Sequence, residues 1–265
     1  MSSLAYALPD TATMLRRNLR HILRYPIMMV AYIGQPIFVL LVFVGVYGNA
    51  LKSSLVAGGY SSYIEYAAPA VMLITVTFGC TTTAMNVSND MTSGIVNRFR
   101  TMSISRAAIL GGHVLESLIR TMTSVVLIIA VCYLLGYRSR GGLVGWVGAI
   151  ALVALLAFGL TWLVVALSLS AKSLEAATSN TLIFQFLPFF SSAFIPTQTM
   201  PAVVGWIARN QPLTPIIETI RALLAGRPVG ATGAVALAWC IGFTLVGFFW
   251  SLREFGRDPQ TPGAQ

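Results

Sequence analysis

The stretch LVGWVGAIALVALLAFGLTWLVVALSLS, residues 143–170, contains no Asp, Glu, Lys or Arg. A helix that crosses a bilayer needs about 20 predominantly apolar residues, and this stretch is longer than that. Backbone groups in lipid must be hydrogen-bonded within the segment itself, which an isolated strand cannot achieve. The stretch therefore predicts a transmembrane α-helix and makes the chain an integral membrane protein.

The composition of the whole chain agrees with a membrane protein. Hydrophobic residues make up 56% of the 265 residues, charged residues make up 9%, and the mean hydropathy is +0.78. Soluble domains are about 45–50% apolar and about 25% charged. Five further stretches are long enough to span: 27–48, 64–86, 111–136, 177–195 and 231–252. We predict an all-α fold of six transmembrane helices in a single transmembrane domain, residues 1–265.

The distribution of basic residues predicts the orientation of the chain. The net charge is +9, and cytoplasmic loops of membrane proteins carry an excess of Lys and Arg. With six spans, one side holds Arg16, Arg17, Arg20, Arg24, Arg98, Arg100, Arg106, Lys172, Arg253 and Arg257. The other side holds only Lys52, Arg138, Arg140, Arg209, Arg221 and Arg227. Both termini are therefore expected in the cytoplasm. No polar domain interleaves aromatic and basic residues, so no nucleic-acid partner is expected.

Residues 11–25, TATMLRRNLRHILRY, have the pattern of a helix that lies along the membrane surface. Helical spacing gathers an apolar stripe of Leu15, Leu19, Ile22 and Leu23. The neighbouring polar face holds Arg16, Arg17, Arg20 and Arg24. Such a helix buries its apolar stripe and places its arginines near anionic head groups of membrane lipids. The alternative is a disordered basic tail.

Residues 197–228 predict two short helices on the outer side. Pro201 can open the first helix. Thr214 as N-cap with Pro215 at the first helical position can open the second, and Gly226 can end it. Neither helix is long enough to span, so we expect a hairpin at the outer interface or dipping into the outer leaflet.

Catalytic chemistry has few candidates in this chain. The acidic residues form no metal-binding motif, and His21 and His113 lie in different segments. The cysteines, Cys80, Cys132 and Cys240, all lie in apolar runs, where packing is the expected role. A phosphate-binding loop needs GxxxxGK[ST], and neither Lys52 nor Lys172 is preceded by glycine. We expect no enzyme activity and no cofactor on this chain, so an ATP-driven transporter would need its motor on another polypeptide.

Glu116 and Arg120 are the one charged pair within a predicted span. They are four residues apart, so they share a helix face and can form an intramembrane ion pair. One interpretation is a coupling or gating element, because charges within a membrane are costly. The other places the pair at the membrane interface, in the first turns of a helix that extends into the cytoplasm. The apolar run starts only at residue 121, which favours the interfacial position.

Two predicted spans carry polar residues at helical spacing. In the second span these are Thr75, Gly79, Thr82 and Asn86, and in the fifth they are Thr178, Thr181, Gln185, Pro188 and Ser192. Polar stripes avoid lipid and face either another helix or a hydrated path. Both interpretations remain open, and two such stripes in one chain favour a translocation path.

Three blocks of the sequence resemble the membrane subunits of type-2 ATP-binding-cassette (ABC) transporters, in particular the daunorubicin-resistance-type permeases. The first is NDMTSGIVNRFRTMSISRAAILGGHV (89–114), with an acidic residue, a glycine and an Arg-Phe-Arg segment. The second is FIPTQTMPAVVGWIARNQPLTPIIETIRALLAG (194–226), with Met-Pro, a later Asn-Gln-Pro, and then an arginine and a glycine. The third is the overall plan of an interfacial helix followed by six spans. The chain departs from the family pattern where Ser103 replaces a proline, which leaves the end of the coupling helix open.

The resemblance implies a role for the basic stretch at residues 89–106. In this family, the loop after the second span carries a coupling helix that docks on the ATPase subunit. The residues that would serve this role are Asp90, Ile95, Val96, Arg98, Phe99, Arg100 and Arg106. By the same likeness, residues 11–25 are the cytoplasmic elbow helix. The second and fifth spans of two protomers would face each other around the path.

The resemblance also implies the partners and the location of the chain. We expect a permease in a bacterial plasma membrane, paired with itself or a similar permease and with ATPase subunits that bind ATP and Mg. The cargo would be an amphipathic drug, antibiotic or lipid that is moved outward. The main alternative is a stand-alone secondary transporter of small hydrophobic molecules. A membrane-embedded enzyme or a non-transporting anchor is less well supported.

Overall fold

The structure is a computed structural model that describes residues 26–50, 60, 62–92, 106–171 and 173–256. No strand occurs in these ranges. Their helices are α1 (Pro26–Ala50), α2 (Tyr63–Thr92), α3 (Arg106–Leu134), α4 (Gly142–Ser170), α5 (Leu174–Phe186), α6 (Ala202–Asn210), α7 (Leu213–Leu224) and α8 (Gly230–Gly256). The predicted all-α membrane fold is confirmed. The predicted elbow helix at residues 11–25, with Arg16, Arg17, Arg20 and Arg24, lies outside the described residues.

Within the described ranges, four helices are long and apolar enough to cross a membrane by length and composition. They are Tyr63–Met91, Leu110–Leu134, Gly142–Ser170 and Gly230–Gly256. The first predicted span, residues 27–48, falls within α1, whose described apolar part is the shorter stretch Gly34–Val46.

Helix α2 forms the centre of the bundle. It packs against α1, α3, α4 and α5, and Ala67, Val71, Leu73 and Ile74 are each 0% exposed. A helix with one apolar face is covered on one side, whereas a helix that is apolar all round is buried on all sides. The burial of α2 among four helices fits its apolar residues around most of its circumference. Because α2 is central, its predicted polar stripe can face other helices as well as a hydrated path.

Helices α4 and α8 pack closely through glycines. A Cβ atom on Gly159 of α4 would lie 2.9 Å from the carbonyl oxygen of Cys240, and one on Gly247 of α8 would lie 2.5 Å from the backbone nitrogen of Leu163. Small residues allow the backbones of membrane helices to approach, which gains van der Waals contact that lipid cannot replace. The sixth predicted span, 231–252, is thus held to the fourth by its small-residue side.

The fifth predicted span, residues 177–195, is not one continuous helix. Helix α5 ends at Phe186 and continues as a short 3₁₀-helix, Leu187–Phe190. Pro188 explains the break, because proline has no backbone N–H and its ring clashes with the carbonyl one helical turn before it. Composition alone did not reveal this, since the apolar run continues through the break.

Two short helices follow, as the sequence predicts for residues 197–228. Pro201 immediately precedes α6, and Gly226 follows α7 in a left-handed conformation with φ of +68°. The N–H of Gly226 donates to the carbonyl of Leu223, and that of Arg227 donates to the carbonyl of Ala222. This pattern satisfies carbonyls that would otherwise be left open at the end of α7.

The predicted N-cap at Thr214 is wrong. Helix α7 begins at Leu213, with Pro212 before it. The Thr214 hydroxyl donates instead to the carbonyl of Ala208 in α6 and accepts from Nε2 of Gln211, at 3.3 Å. The side chain therefore joins the two short helices rather than starting one of them.

Candidate coupling and translocation site

The polar stripe of α5 packs against α2 within one chain, through a threonine outside the predicted α2 stripe. The hydroxyl oxygens of Thr81 and Thr181 lie 3.0 Å apart, and Nε2 of Gln185 donates to the same Thr81 oxygen. Thr181 is buried and Gln185 is half-buried. Thr81 was not among the predicted path residues, although it precedes Thr82. Helix packing thus accounts for part of the fifth-span stripe.

The predicted stripe of α2 divides into a buried half and a partly exposed half. Thr75 is buried and donates to the carbonyl of Val71 at 2.8 Å. Gly79 packs against α3, where a Cβ atom would lie 2.9 Å from Oγ1 of Thr121. Thr82 and Asn86 are half-buried. Only these last two have surface available for a path.

The remaining fifth-span residues lie in different surroundings. Thr178 is half-buried and donates to the carbonyl of Leu174 at 3.0 Å. Pro188 and Ser192 are buried beyond the end of α5. Ser192 is 1% exposed and belongs to the outer-end cluster described below, so it does not continue the stripe of Thr181 and Gln185.

Glu116 and Arg120 form an ion pair inside the bundle. Nε of Arg120 lies 3.0 Å from Oε1 of Glu116, and the two residues are 5% and 0% exposed. The pair lies beyond the first two turns of α3, which begins at Arg106. Protein encloses both side chains, so neighbouring helices rather than lipid or water surround the pair, while its interfacial depth in the membrane stays a prediction. The sequence of α3 alone does not reveal the groups that neighbouring helices place around this pair.

Hydroxyl groups from three helices surround this ion pair. Nη2 of Arg120 donates to Oγ1 of Thr83 at 3.1 Å and to the carbonyl of Gly79 at 3.4 Å, both in α2. The Ser117 hydroxyl lies 2.7 Å from that of Thr83 and 3.4 Å from that of Thr161 in α4. Buried charge is tolerated when hydrogen bonds replace the lost water. The cluster therefore binds α2, α3 and α4 to one another.

A second contact joins α2 and α3 close to the predicted coupling region. Nε2 of His113 lies 3.4 Å from Oδ2 of Asp90. Asp90 precedes the end of α2 at Thr92, and His113 lies near the start of α3. The residues between them include Ile95, Val96, Arg98, Phe99 and Arg100, which lie outside the described residues. Arg106 is the first residue of α3.

The structure shows a buried arginine that the sequence did not single out. Arg221 of α7 is 2% exposed. Its Nε and Nη2 donate to the carbonyl of Tyr66 at 3.2 and 3.1 Å, and Nη2 also donates to the carbonyl of Ser192 at 3.0 Å. Nη1 donates to Oε1 of Glu218 at 2.8 Å, and Cζ lies 3.7 Å from the centroid of the Tyr66 ring. We call these residues the outer-end cluster, after the side on which the distribution of basic residues predicts them.

A signal for this burial exists in the sequence. Leu213, Ile217, Ile220 and Leu224 recur at helical spacing, and Arg221 falls on the same face as Ile217 and Leu224. The count of basic residues places Arg221 among the six cations expected on the outer side, and the family resemblance includes it in the second block, but neither indicates that it is buried. A lone arginine on the apolar face of an amphipathic helix indicates a buried partner instead.

Comparison with known proteins supports this picture. Residues 9–225 match the family model for the ABC-2 type transporter. The chain is 26% identical over 246 residues to the daunorubicin resistance ABC transporter permease protein DrrB1 of Streptomyces coeruleorubidus, covering 92% of this chain and 84% of that protein.

A second relative is the probable doxorubicin resistance ABC transporter permease protein DrrC of Mycobacterium tuberculosis. It is 24% identical over 178 residues, which is 67% of this chain and 64% of that protein. The family model covers well over half of the chain and includes both clusters described above. The chain therefore belongs to the ABC-2 type transporter family, as its sequence blocks predict.

Proposed function

We propose that the chain is the membrane permease of an ATP-driven exporter whose ATPase is a separate subunit. The observation that carries this proposal is similarity over 92% of the chain to a permease named for daunorubicin resistance. The chain itself carries no phosphate-binding loop sequence. ATP and Mg would therefore bind to the partner subunit, as expected from the sequence.

The geometry supports a coupling role for the α2–α3 hairpin. Residues 93–105 connect two helices that are bound to each other by the Asp90–His113 contact and by the Arg120 hydrogen bonds. A force applied to residues 93–105 would therefore move α2 and α3 together. Arg98 and Arg100 would pair with carboxylates of the ATPase, while Ile95, Val96 and Phe99 would fill an apolar groove. Arg106 would extend the basic surface.

The cargo proposed for this path is an amphipathic drug, antibiotic or lipid. Thr82, Asn86 and Thr178 offer partly exposed polar groups, while Ile183 and Phe186 of α5 are 64% and 58% exposed. A surface that combines hydroxyl and amide groups with large apolar side chains suits a molecule that has both characters. A second permease, either the same chain or a similar one, would complete the path across from α2 and α5.

The proposed location is a bacterial plasma membrane with both termini in the cytoplasm. The excess of basic residues on that side supports this orientation. It places the coupling connection where ATP is available, and it places α6, α7 and the outer-end cluster at the exit.

The test is purification of the tagged permease from its native membrane, followed by identification of bound P-loop ATPases. We expect Arg98→Glu or Arg100→Glu to weaken ATPase binding about tenfold or more, because each places like charges opposite each other. Arg209→Glu is the matched control, since Arg209 is exposed on α6 at the other end of the bundle. Equal loss in all three variants would exclude a docking role for the two arginines. Failure to recover any ATPase with the wild-type chain would overturn the proposal.

One observation favours the alternative of a secondary transporter. Oε2 of Glu116 is buried without a hydrogen-bond partner among the described residues. Acidic residues within membrane spans mark ion and proton pathways in pumps and transporters, which would suit a proton-driven carrier. Proteoliposomes of the purified chain, loaded with daunorubicin as the probe, separate the two cases. Uphill movement that needs a proton gradient, needs no ATPase and is abolished by Glu116→Gln would establish the alternative.

A further inference from the structure

Three exposed arginines lie at the end of the bundle that holds α6 and α7. Arg138 and Arg140 belong to the loop between α3 and α4, and Arg227 follows α7. We call these three the arginine patch. Arg138 and Arg140 are unexpected in a loop on the side that the positive-inside rule leaves poor in basic residues. Their position therefore needs a separate physical reason.

The two loops that carry the patch are joined through their backbones. The carbonyl of Leu224 accepts hydrogen bonds from the backbone N–H groups of Arg140 and Gly141 at 3.0 and 2.9 Å, and from the Ser139 hydroxyl at 2.7 Å. A Cβ atom on Gly226 would lie 3.1 Å from the carbonyl oxygen of Arg140. The side chains of Arg140 and Arg227 are therefore attached to backbone segments that contact each other.

The charges of the patch are not neutralised by carboxylates within the described ranges. Arg138 uses only Nη1, which donates to the carbonyls of Tyr133 and Tyr137 at 3.1 and 2.9 Å. Arg227 donates from Nη2 to the Tyr60 hydroxyl at 2.9 Å. A guanidinium has five N–H donors, so most donors of the patch remain available to a ligand.

Strongly exposed apolar side chains lie directly beside the patch. Leu134 at the end of α3 is 86% exposed, while Leu143 and Val144 at the start of α4 are 80% and 83% exposed. These side chains flank the loop of Arg138 and Arg140 on both sides in the sequence. Apolar surface next to free arginines matches the boundary between acyl chains and head groups.

Aromatic residues mark the same boundary. The ring of Trp146 lies 6.0 Å from that of Tyr133 and 6.3 Å from that of Tyr137, measured between centroids. Tyr and Trp are enriched where a membrane meets water. Burial raises the pKa of the Tyr137 hydroxyl, outweighing the hydrogen bond to Ser139, and the Glu65 carboxylate adds a smaller shift in the same direction.

We propose that the arginine patch binds the phosphate of an anionic phospholipid in the adjacent leaflet. Arginine donors match phosphate oxygens in number and geometry, and the flanking leucines and valine cover the start of the acyl chains. The apolar surface favours a lipid over free phosphate, because an inorganic ion would leave that surface uncovered. The site depends neither on transport nor on an ATPase.

The experiment measures lipid retention by the full-length chain using native mass spectrometry in detergent. The probes are phosphatidylglycerol, phosphatidylcholine and inorganic phosphate. Arg140→Gln/Arg227→Gln removes two charges of the patch, and Arg140→Lys/Arg227→Lys keeps them. Arg138 is left intact because it binds two carbonyls at the end of α3. Arg209→Gln is the control, since it removes an exposed arginine outside the patch at the same end.

We expect the wild-type chain to retain phosphatidylglycerol over phosphatidylcholine. The double Gln variant should lose about tenfold in phosphatidylglycerol affinity. The double Lys variant should lose less, because it keeps both charges but not the planar donors, and Arg209→Gln should keep most of the affinity. Unchanged retention in the double Gln variant, or equal retention of phosphatidylcholine, would overturn the proposal. Full displacement by millimolar inorganic phosphate would assign a free-phosphate site and overturn the lipid assignment.

Discussion

Arg221 keeps its charge inside protein because several acceptors surround it. Its donors reach the carbonyls of Tyr66 and Ser192 and the carboxylate of Glu218, while the Tyr66 ring covers its face. The three residues that make these contacts come from three different segments of the chain. Removing the guanidinium would take donors away from buried acceptors, of which the Ser192 carbonyl would keep only the Tyr66 hydroxyl. An under-satisfied buried acceptor costs more than the hydrogen bond itself contributes.

Arg221→Met should therefore lower the free energy of unfolding by about 3 kcal/mol. Arg221→Lys should fall between Met and wild type, because lysine keeps the charge but cannot reproduce the planar set of donors. Thermal unfolding of the detergent-solubilised chain measures the effect. Arg209→Met, which changes an exposed arginine, should stay within about 0.5 kcal/mol of wild type. A similar loss in both variants would argue against the outer-end cluster as the cause.

Residue spacing predicted which side chains could meet but not what encloses them. The i, i+4 spacing of Glu116 and Arg120 indicated their ion pair, and the structure contains it. The hydroxyls of Thr83 and Thr161 come from other helices, so periodicity within one helix carries no information about them. The proposed roles of the coupling arginines Arg98 and Arg100 stay predictions.

At the scale of elements, long apolar helices were easier to predict than their interruptions. The predicted spans 64–86, 143–170 and 231–252 fall within α2, α4 and α8. The break after α5 was not predicted, because the run of Leu, Pro and Phe is uniformly apolar. Pro188 interrupts the backbone hydrogen bonds of the helix without changing this apolar character. Local stereochemistry, rather than hydrophobicity, decides where such a helix ends.

The close approach of α4 and α8 gives a prediction at this scale. Gly247→Ala should destabilise the chain by about 1–3 kcal/mol, because the new methyl group would meet backbone atoms of α4 that cannot move aside. Gly242→Ala on the same helix is the matched control, since nothing lies within 4 Å of its added Cβ atom. It should be neutral or stabilise by up to about 1 kcal/mol.

Unfolding midpoints of the two alanine variants, measured side by side in one detergent, check this difference. A Gly247→Ala variant as stable as Gly242→Ala would mean that α8 can shift away from α4 at little cost. The glycine contact would then not determine how the two helices pack.

At the scale of the whole molecule, composition and motifs were sufficient for the fold class and the family. Scarce charge required an all-α membrane protein, and the blocks around residues 89–114 and 194–226 indicated the ABC-2 family that the comparisons confirm. Depth in the bilayer and orientation are properties of the chain together with lipid. Helix bounds alone do not determine them, so the orientation stays a prediction.

Reporter fusions test the orientation and the broken fifth span together. Fusions after Gly141, Ala171 and Arg227 should report outside, inside and outside, because ten basic residues against six favour cytoplasmic termini. Alkaline phosphatase activity and a matching cytoplasmic reporter at each position give the measurement. The same side reported at Ala171 and Arg227 would show that α5 and its 3₁₀ extension do not cross the membrane.

The partners of Arg221 also bear on how the chain is made. Arg221 follows its partners Tyr66, Ser192 and Glu218 in the sequence. The ribosome therefore synthesises this arginine after these groups that neutralise or solvate it. The cation can leave the translocon for acceptors that have already been synthesised. The contacts of Arg221 can therefore form before α8 emerges, and α8 then packs against α4 and against α7, which already carries these contacts.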